Sequence, residues 1–171
     1  LASGVGGKTL QVVSTTKKDV FSEVVSAGGT SADITGLTVT ITPANASNKI
    51  FLIANLSLGS TVTSMTFYKD GSLITGAIAD AANNANDGAA LQRLAFANSG
   101  GAYDARSMVG TFNDTAGGTS AITYSIRLHP MRSDQSNTAY INRGNDSDEF
   151  QSVYNPLARV ISTFTAMEIA A

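Results

Sequence analysis

The chain has 171 residues and carries 11 basic against 13 acidic side chains, a net charge of −2. That length supports a hydrophobic core without a covalent staple, and the absence of cysteine excludes disulfides, thiolate metal sites and a cysteine nucleophile. No basic stripe is present to neutralise phosphates, so no nucleic-acid partner is expected, and no apolar run reaches the roughly 20 residues that cross a bilayer as a helix, so no membrane insertion is expected.

The composition leans to Thr, Ser, Ala, Gly and Asn, with few Lys and Glu. Such a chain makes poor helices and good strands joined by tight turns. Residues 1–7 read as a linker, and residues 8–171 as a single domain. Ala2-Ser3-Gly4-Val5-Gly6-Gly7-Lys8-Thr9 is a loosened phosphate-loop pattern. It lacks the buried strand before and the helix after that the chemistry needs, so it is assigned to the linker.

Strands are expected at 10–13 and 20–25. Leu37, Val39 and Ile41 then alternate with Thr38, Thr40 and Thr42 until Pro43 ends the run. In the next segment Ile50, Leu52, Ala54, Leu56 and Leu58 share one face, with Phe51 and Ile53 on the reverse. Burial on both sides is expected there, from the core or from a neighbouring subunit. Segments 65–69 and 72–75 flank Asp70-Gly71, a hairpin signal because a type I′ turn needs positive φ at both central residues. Segment 76–90 reads as a long loop with room for one helical turn, and strands are expected at 91–96 and 107–112.

Ile122, Tyr124, Ile126 and Leu128 fall on one face of a half-buried strand that Pro130 stops, with Thr123, Ser125, Arg127 and His129 on the other. The stretch 131–156 is polar apart from a strand at 138–141. In the last run Ile161, Thr163, Thr165, Met167 and Ile169 alternate with Ser162, Phe164, Ala166 and Glu168. The whole predicts an all-β fold, about ten strands in an antiparallel two-sheet, jelly-roll-like sandwich. Ile50, Leu52, Leu56, Ile122, Ile126, Leu128 and Ile169 are its expected core. Phe51, Ile53 and Phe164 are expected on outer faces, where a symmetric copy of the chain would cover them.

Little in the sequence carries catalytic chemistry. His129 is the sole histidine, stands at a strand end without a nucleophile-elbow motif, and reads as a surface residue. Glu168 is the one carboxylate within an apolar strand and is expected at a subunit contact or in solvent. Asp146, Asp148 and Glu149, with Asn145, offer oxygen ligands of the kind calcium takes, but their spacing lacks the full helix–loop–helix calcium register. A plain solvated loop is the favoured reading, and no metal or other cofactor is expected. Tyr103, Tyr140 and Tyr154 lie in or near polar loops with Asp104, Arg106, Asn142 and Arg143. Aromatic faces beside planar hydrogen-bonding groups are what a sugar site uses, so these seven are the ligand-binding candidates.

The order of several segments resembles the C-terminal head domains of bacteriophage fibre and related virion proteins, especially those of aquatic phages such as cyanophages. The residues that carry it are Gly6-Gly7-Lys8-Thr9-Leu10-Gln11-Val12-Val13, Leu37-Thr38-Val39-Thr40-Ile41-Thr42-Pro43, Ser47-Asn48-Lys49-Ile50, Phe67-Tyr68-Lys69-Asp70-Gly71-Ser72 and the ending Thr165-Ala166-Met167-Glu168-Ile169-Ala170-Ala171. The resemblance implies a trimeric jelly roll similar in kind to tumour-necrosis-factor-like and C1q-like domains, placed on a virion. It brings no catalytic residues with it. The expected function is therefore non-enzymatic: attachment to a host-surface glycan or decoration of the particle, with a homotrimer and other virion proteins as partners. The alternatives are a purely structural capsid fibre or cement protein and, from another class, a glycan-degrading enzyme.

Overall fold

The structure, a computed structural model, describes residues 7–27, 29–59, 63–78, 95–97, 106–130, 136–144 and 160–171. Within them the chain is antiparallel strand joined by turns, without an α-helix. The strands are β1 (Thr9–Lys17), β2 (Phe21–Val25), β3 (Val39–Ile41), β4 (Lys49–Leu58), β5 (Thr63–Lys69), β6 (Ser72–Leu73), β7 (Ala95–Ala97), β8 (Arg106–Thr115), β9 (Ile122–Pro130), β10 (Asn137–Ile141) and β11 (Ser162–Ile169). One 3-10 turn, Thr75–Ala77, follows β6.

Two sheets form the sandwich. In the first, β4 lies between β11 and β8, β1 flanks β11, and the β10–β2 pair joins β4 at Leu58. In the second, β9 lies between β3 and β5, with β6 and β7 on the far edge of β5. Asp70 and Gly71, at φ 47° and 78°, make the β5–β6 turn that the Asp-Gly pair predicts.

Direct partners across a sheet share a face, so the register shows what each sheet buries. Leu52, Ala54, Leu56, Ala166 and Phe164 from the first sheet meet Met65, Phe67, Tyr124, Ile126 and Leu128 from the second, all essentially without exposure. Phe164 stacks on Phe67 across the gap, with centroids 5.4 Å apart and an interplanar angle of 24°.

The last strand runs opposite to expectation. Ser162, Phe164, Ala166 and Glu168 are the buried set, while Ile161 is exposed and Ile169 only half-buried. Phe164 is therefore core and not an outer aromatic, and Ile169 leaves the core. The inward face of this strand tolerates Ser162 and Glu168 because both have partners supplied from far along the chain.

Those two residues sit at opposite ends of the sandwich, each in a polar network that closes the apolar middle. Glu168 is 1% exposed and belongs neither to solvent nor to a subunit contact. Its Oε1 accepts from the Asn48 amide at 2.6 Å and the Ala44 N–H at 2.7 Å, and its Oε2 from Gln11 at 2.7 Å. Burial pushes its pKa up, but the bonds from Asn48, Gln11 and the Ala44 and Asn45 backbone together hold it below the ordinary value. In the same row, beyond Ile50, Asp114 accepts from Lys69 at 2.8 Å and from the Tyr124 hydroxyl at 2.7 Å, linking the two sheets. Burial first, and then this bond, push Tyr124 far above the ordinary phenol range.

At the other end, Asn142 adopts φ 65° and is fully buried. Its amide donates to the carbonyls of Lys17 and Asp19, and its oxygen accepts from Ser162 Oγ at 2.7 Å. The backbone beside it presses on Gly59, where any Cβ would collide with the Arg143 carbonyl. Glycine at 59 is thus what lets the turn after β10 dock.

Candidate interaction surfaces

The two outer faces of the sandwich differ in chemistry. On the first sheet, register places three rows of four side chains outward: Val12, Met167, Phe51 and Asn113; then Ser14, Thr165, Ile53 and Thr111; then Thr16, Thr163, Asn55 and Val109. None of them is charged. Val12 and Val109 are each 56% exposed, and Phe51 and Ile53 are half-buried. At the strand and rise spacings of a sheet these rows cover roughly 20 by 20 Å. Its apolar members, Val12, Met167, Phe51, Ile53 and Val109, are interspersed with Ser, Thr and Asn side chains. The nearest charge in register is Lys49, one row beyond Phe51, whose ammonium is bound to Thr115 Oγ1.

The face of the second sheet turned away from the core is polar, but Ser64, Thr66, Tyr68, Ser125 and His129 on it are buried. Thr123, Ser125, Arg127 and His129 alternate with the core residues of β9, as the sequence pattern predicts, and Ser64, Thr66 and Tyr68 of β5 stand beside them. His129, however, is a buried residue, 4% exposed, with Nε2 2.6 Å from Thr66 Oγ1. Its surface assignment fails because Thr66 lies on the neighbouring strand and supplies the partner a buried imidazole needs. Thr66 is itself 1% exposed, so the pair presents no accessible nucleophile in this conformation.

Residues 31–34 extend along the free side of β9. Ser31 N–H donates to Leu128 O, and Ile34 N–H to Ile126 O. This sets Asp33 opposite Arg127. Asp33 Oδ1 accepts from Arg127 Nε at 2.7 Å and from Ser125 Oγ at 2.9 Å. The guanidinium carbon lies 4.1 Å from the Tyr68 ring centroid, in cation–π contact. The bond to Asp33 raises the Arg127 pKa further, against burial and with smaller help from Tyr68.

Of the sequence-predicted ligand residues, Tyr140 and Arg143 come together, with the guanidinium 4.6 Å from the ring centroid at the end of β10. Arg106 opens β8 in register with Leu58 and is exposed. Asn142, between Tyr140 and Arg143 in sequence, is buried and its amide is bonded within the protein. Tyr103, Asp104 and Tyr154 lie outside the described residues, as do Asp146, Asp148 and Glu149. Among the described residues no group of three or more His, Cys, Asp or Glu could hold a metal ion, and no helix is long and apolar enough to cross a membrane. A chelator is expected to leave the melting temperature unchanged. A drop that calcium restores would assign a site to Asp146, Asp148 and Glu149.

Sequence reasoning missed Asp33 and Tyr68. The alternation on β9 points Arg127 outward, but no local signal brings Asp33 to it from 94 residues away. The chain matches no protein-family model, and a search of curated proteins finds no match.

Proposed function

We propose that the chain is the non-enzymatic head domain of a virion fibre, displayed on the particle surface, that assembles as a homotrimer and attaches the particle to a cell-surface glycan or to another virion protein. The observation that carries this reading is the uncharged outer face of the β1–β11–β4–β8 sheet. Three rows of apolar, hydroxyl and amide side chains bring no ionised group that association would have to desolvate. Packing of that face against the two neighbouring copies about a threefold axis covers Phe51 and Ile53 within a closed symmetric assembly. It also leaves Asp33 and Arg127 of the second sheet outside the contact.

Mass photometry on the isolated chain tests the reading. A trimer is expected at micromolar concentration, and Ile53→Asp is expected to give a folded monomer, because it places a carboxylate at the centre of the contact. A parent chain that is monomeric at that concentration, or an Ile53→Asp variant that stays trimeric, overturns assembly through this face. Polysaccharide turnover by the purified chain would overturn the non-enzymatic part.

A further inference from the structure

We infer that Asp33 and Arg127, held by Tyr68, form a binding subsite for a neutral saccharide with adjacent free hydroxyls. This inference rests on the glycan-attachment part of the proposed function and names the place where the sugar would sit.

Arg127 points away from the core, because its neighbours Ile126 and Leu128 are fully buried. It is restrained twice, by the contact with Tyr68 and by its Nε bond to Asp33 Oδ1. Asp33 is fixed in turn by Ser125 Oγ. The planar fork of Arg127 has therefore already lost most of the freedom that binding would otherwise cost. Beyond its contact with Tyr68, the Arg127 fork is bonded to Asp33 through Nε alone, and the bonds Asp33 accepts from Arg127 and Ser125 both fall on Oδ1. The two side chains keep 26% and 41% of their exposure, whereas Thr66, Tyr68, Ser125 and His129 around them are buried.

What remains for a ligand is N–H groups of the guanidinium fork and one carboxylate oxygen, side by side and held in place. Vicinal hydroxyls are the complement: one accepts from Nη, and its neighbour donates to Oδ2. The same carboxylate discriminates against a uronic or other acidic sugar, whose charge it would repel. The pair itself has no net charge, so it offers no excess attraction for an anion. The site lies on the face opposite the uncharged patch. Assembly through that patch leaves it open and repeats it, so weak contacts add as avidity.

The test is a glycan array of neutral and acidic oligosaccharides, probed with the parent chain, Arg127→Lys and Asp33→Asn. Mass photometry and thermal melting are run on all three. Arg127→Lys keeps the charge and removes the fork. The expected result is parent binding to neutral glycans with free vicinal hydroxyls, weakened about tenfold or more in each variant, with oligomer and melting temperature held. Undiminished binding by both variants overturns the site and leaves glycan attachment standing. Preference for acidic glycans overturns the assignment of the ligand. A parent that binds no glycan overturns the attachment reading and this site with it. Should a variant melt early, isothermal titration of the parent with a methyl hexoside against its uronate decides, and equal or stronger uronate binding counts against the site.

Discussion

Replacing Phe164 by alanine is expected to destabilise the domain by about 3–5 kcal/mol. The side chain has no exposure and stacks on Phe67 of the opposite sheet. Truncation removes apolar burial, an aromatic pair and the contents of a site lined by both sheets, which can collapse only by drawing the sheets together. Domains of this size are stable by only about 5–15 kcal/mol, so the variant should unfold at much lower denaturant while its m-value stays near that of the parent. A loss under about 1 kcal/mol would mean the strand is in the other register, since a slip of one residue moves the phenyl ring to the outer face.

Glu168→Ala is expected to be of similar size, about 3 kcal/mol or more, for a different reason. The carboxylate is the acceptor for Asn48, Gln11 and the Ala44 N–H. Its removal leaves the buried Asn48 amide unsatisfied, at about 1–3 kcal/mol, and takes an acceptor from the part-buried Gln11 and Ala44 donors as well. Glu168→Gln should cost less, because it keeps an acceptor oxygen while setting one amide against the donors. The same network predicts acid sensitivity. Glu168 has a folded pKa below its ordinary 4.5, so its ionised form is favoured in the native state. That stabilisation is complete above the unfolded value and is lost as pH falls through the lower, folded one. Denaturation midpoints between neutral and strongly acid pH should therefore fall for the parent and fall less for Glu168→Gln. Parallel curves for the two proteins would count against an ionised Glu168.

Much of the fold is legible in the sequence wherever one face of a strand is apolar and the other is not. The alternation of Ile122, Tyr124, Ile126 and Leu128 with Thr123 and Arg127 assigns β9 correctly, and Asp70-Gly71 gives its hairpin. Strand β4 is legible on its inner face for the same reason, and its outward Phe51 and Ile53 stand where the pattern puts them. Strand β11 is misread because its two faces are nearly equal in hydropathy. Ile161, Met167 and Ile169 outweigh a true inner face containing Ser162 and Glu168. What decides the face is satisfaction by partners such as Asn48 and Asn142, which are distant in the chain. The Asp33–Arg127 pair is hidden in the same way: its geometry comes from an extended segment docking on a strand edge. Asn142 reads as a ligand candidate because a polar residue in a turn after a strand is normally exposed. Its positive φ and three structural bonds make it a fastener instead.

Strand β1 pairs with β11 along nearly its full length, from Thr9 with Ile169 to Lys17 with Ser162. The sheet that carries the uncharged face is thus stitched from the two extremes of the described chain, and β4, at its middle, keeps an open edge until β11 arrives. On a ribosome, that edge stays unpaired until Ile169 has emerged. Contacts so remote in sequence make closure slow relative to local hairpins such as β5–β6. A nascent chain in which β11 has not yet emerged therefore shows an unpaired strand edge and an incomplete uncharged face, open to chaperones and proteases. Once β11 has emerged, the sheet gains its edge pairing and the whole of its uncharged face in one step.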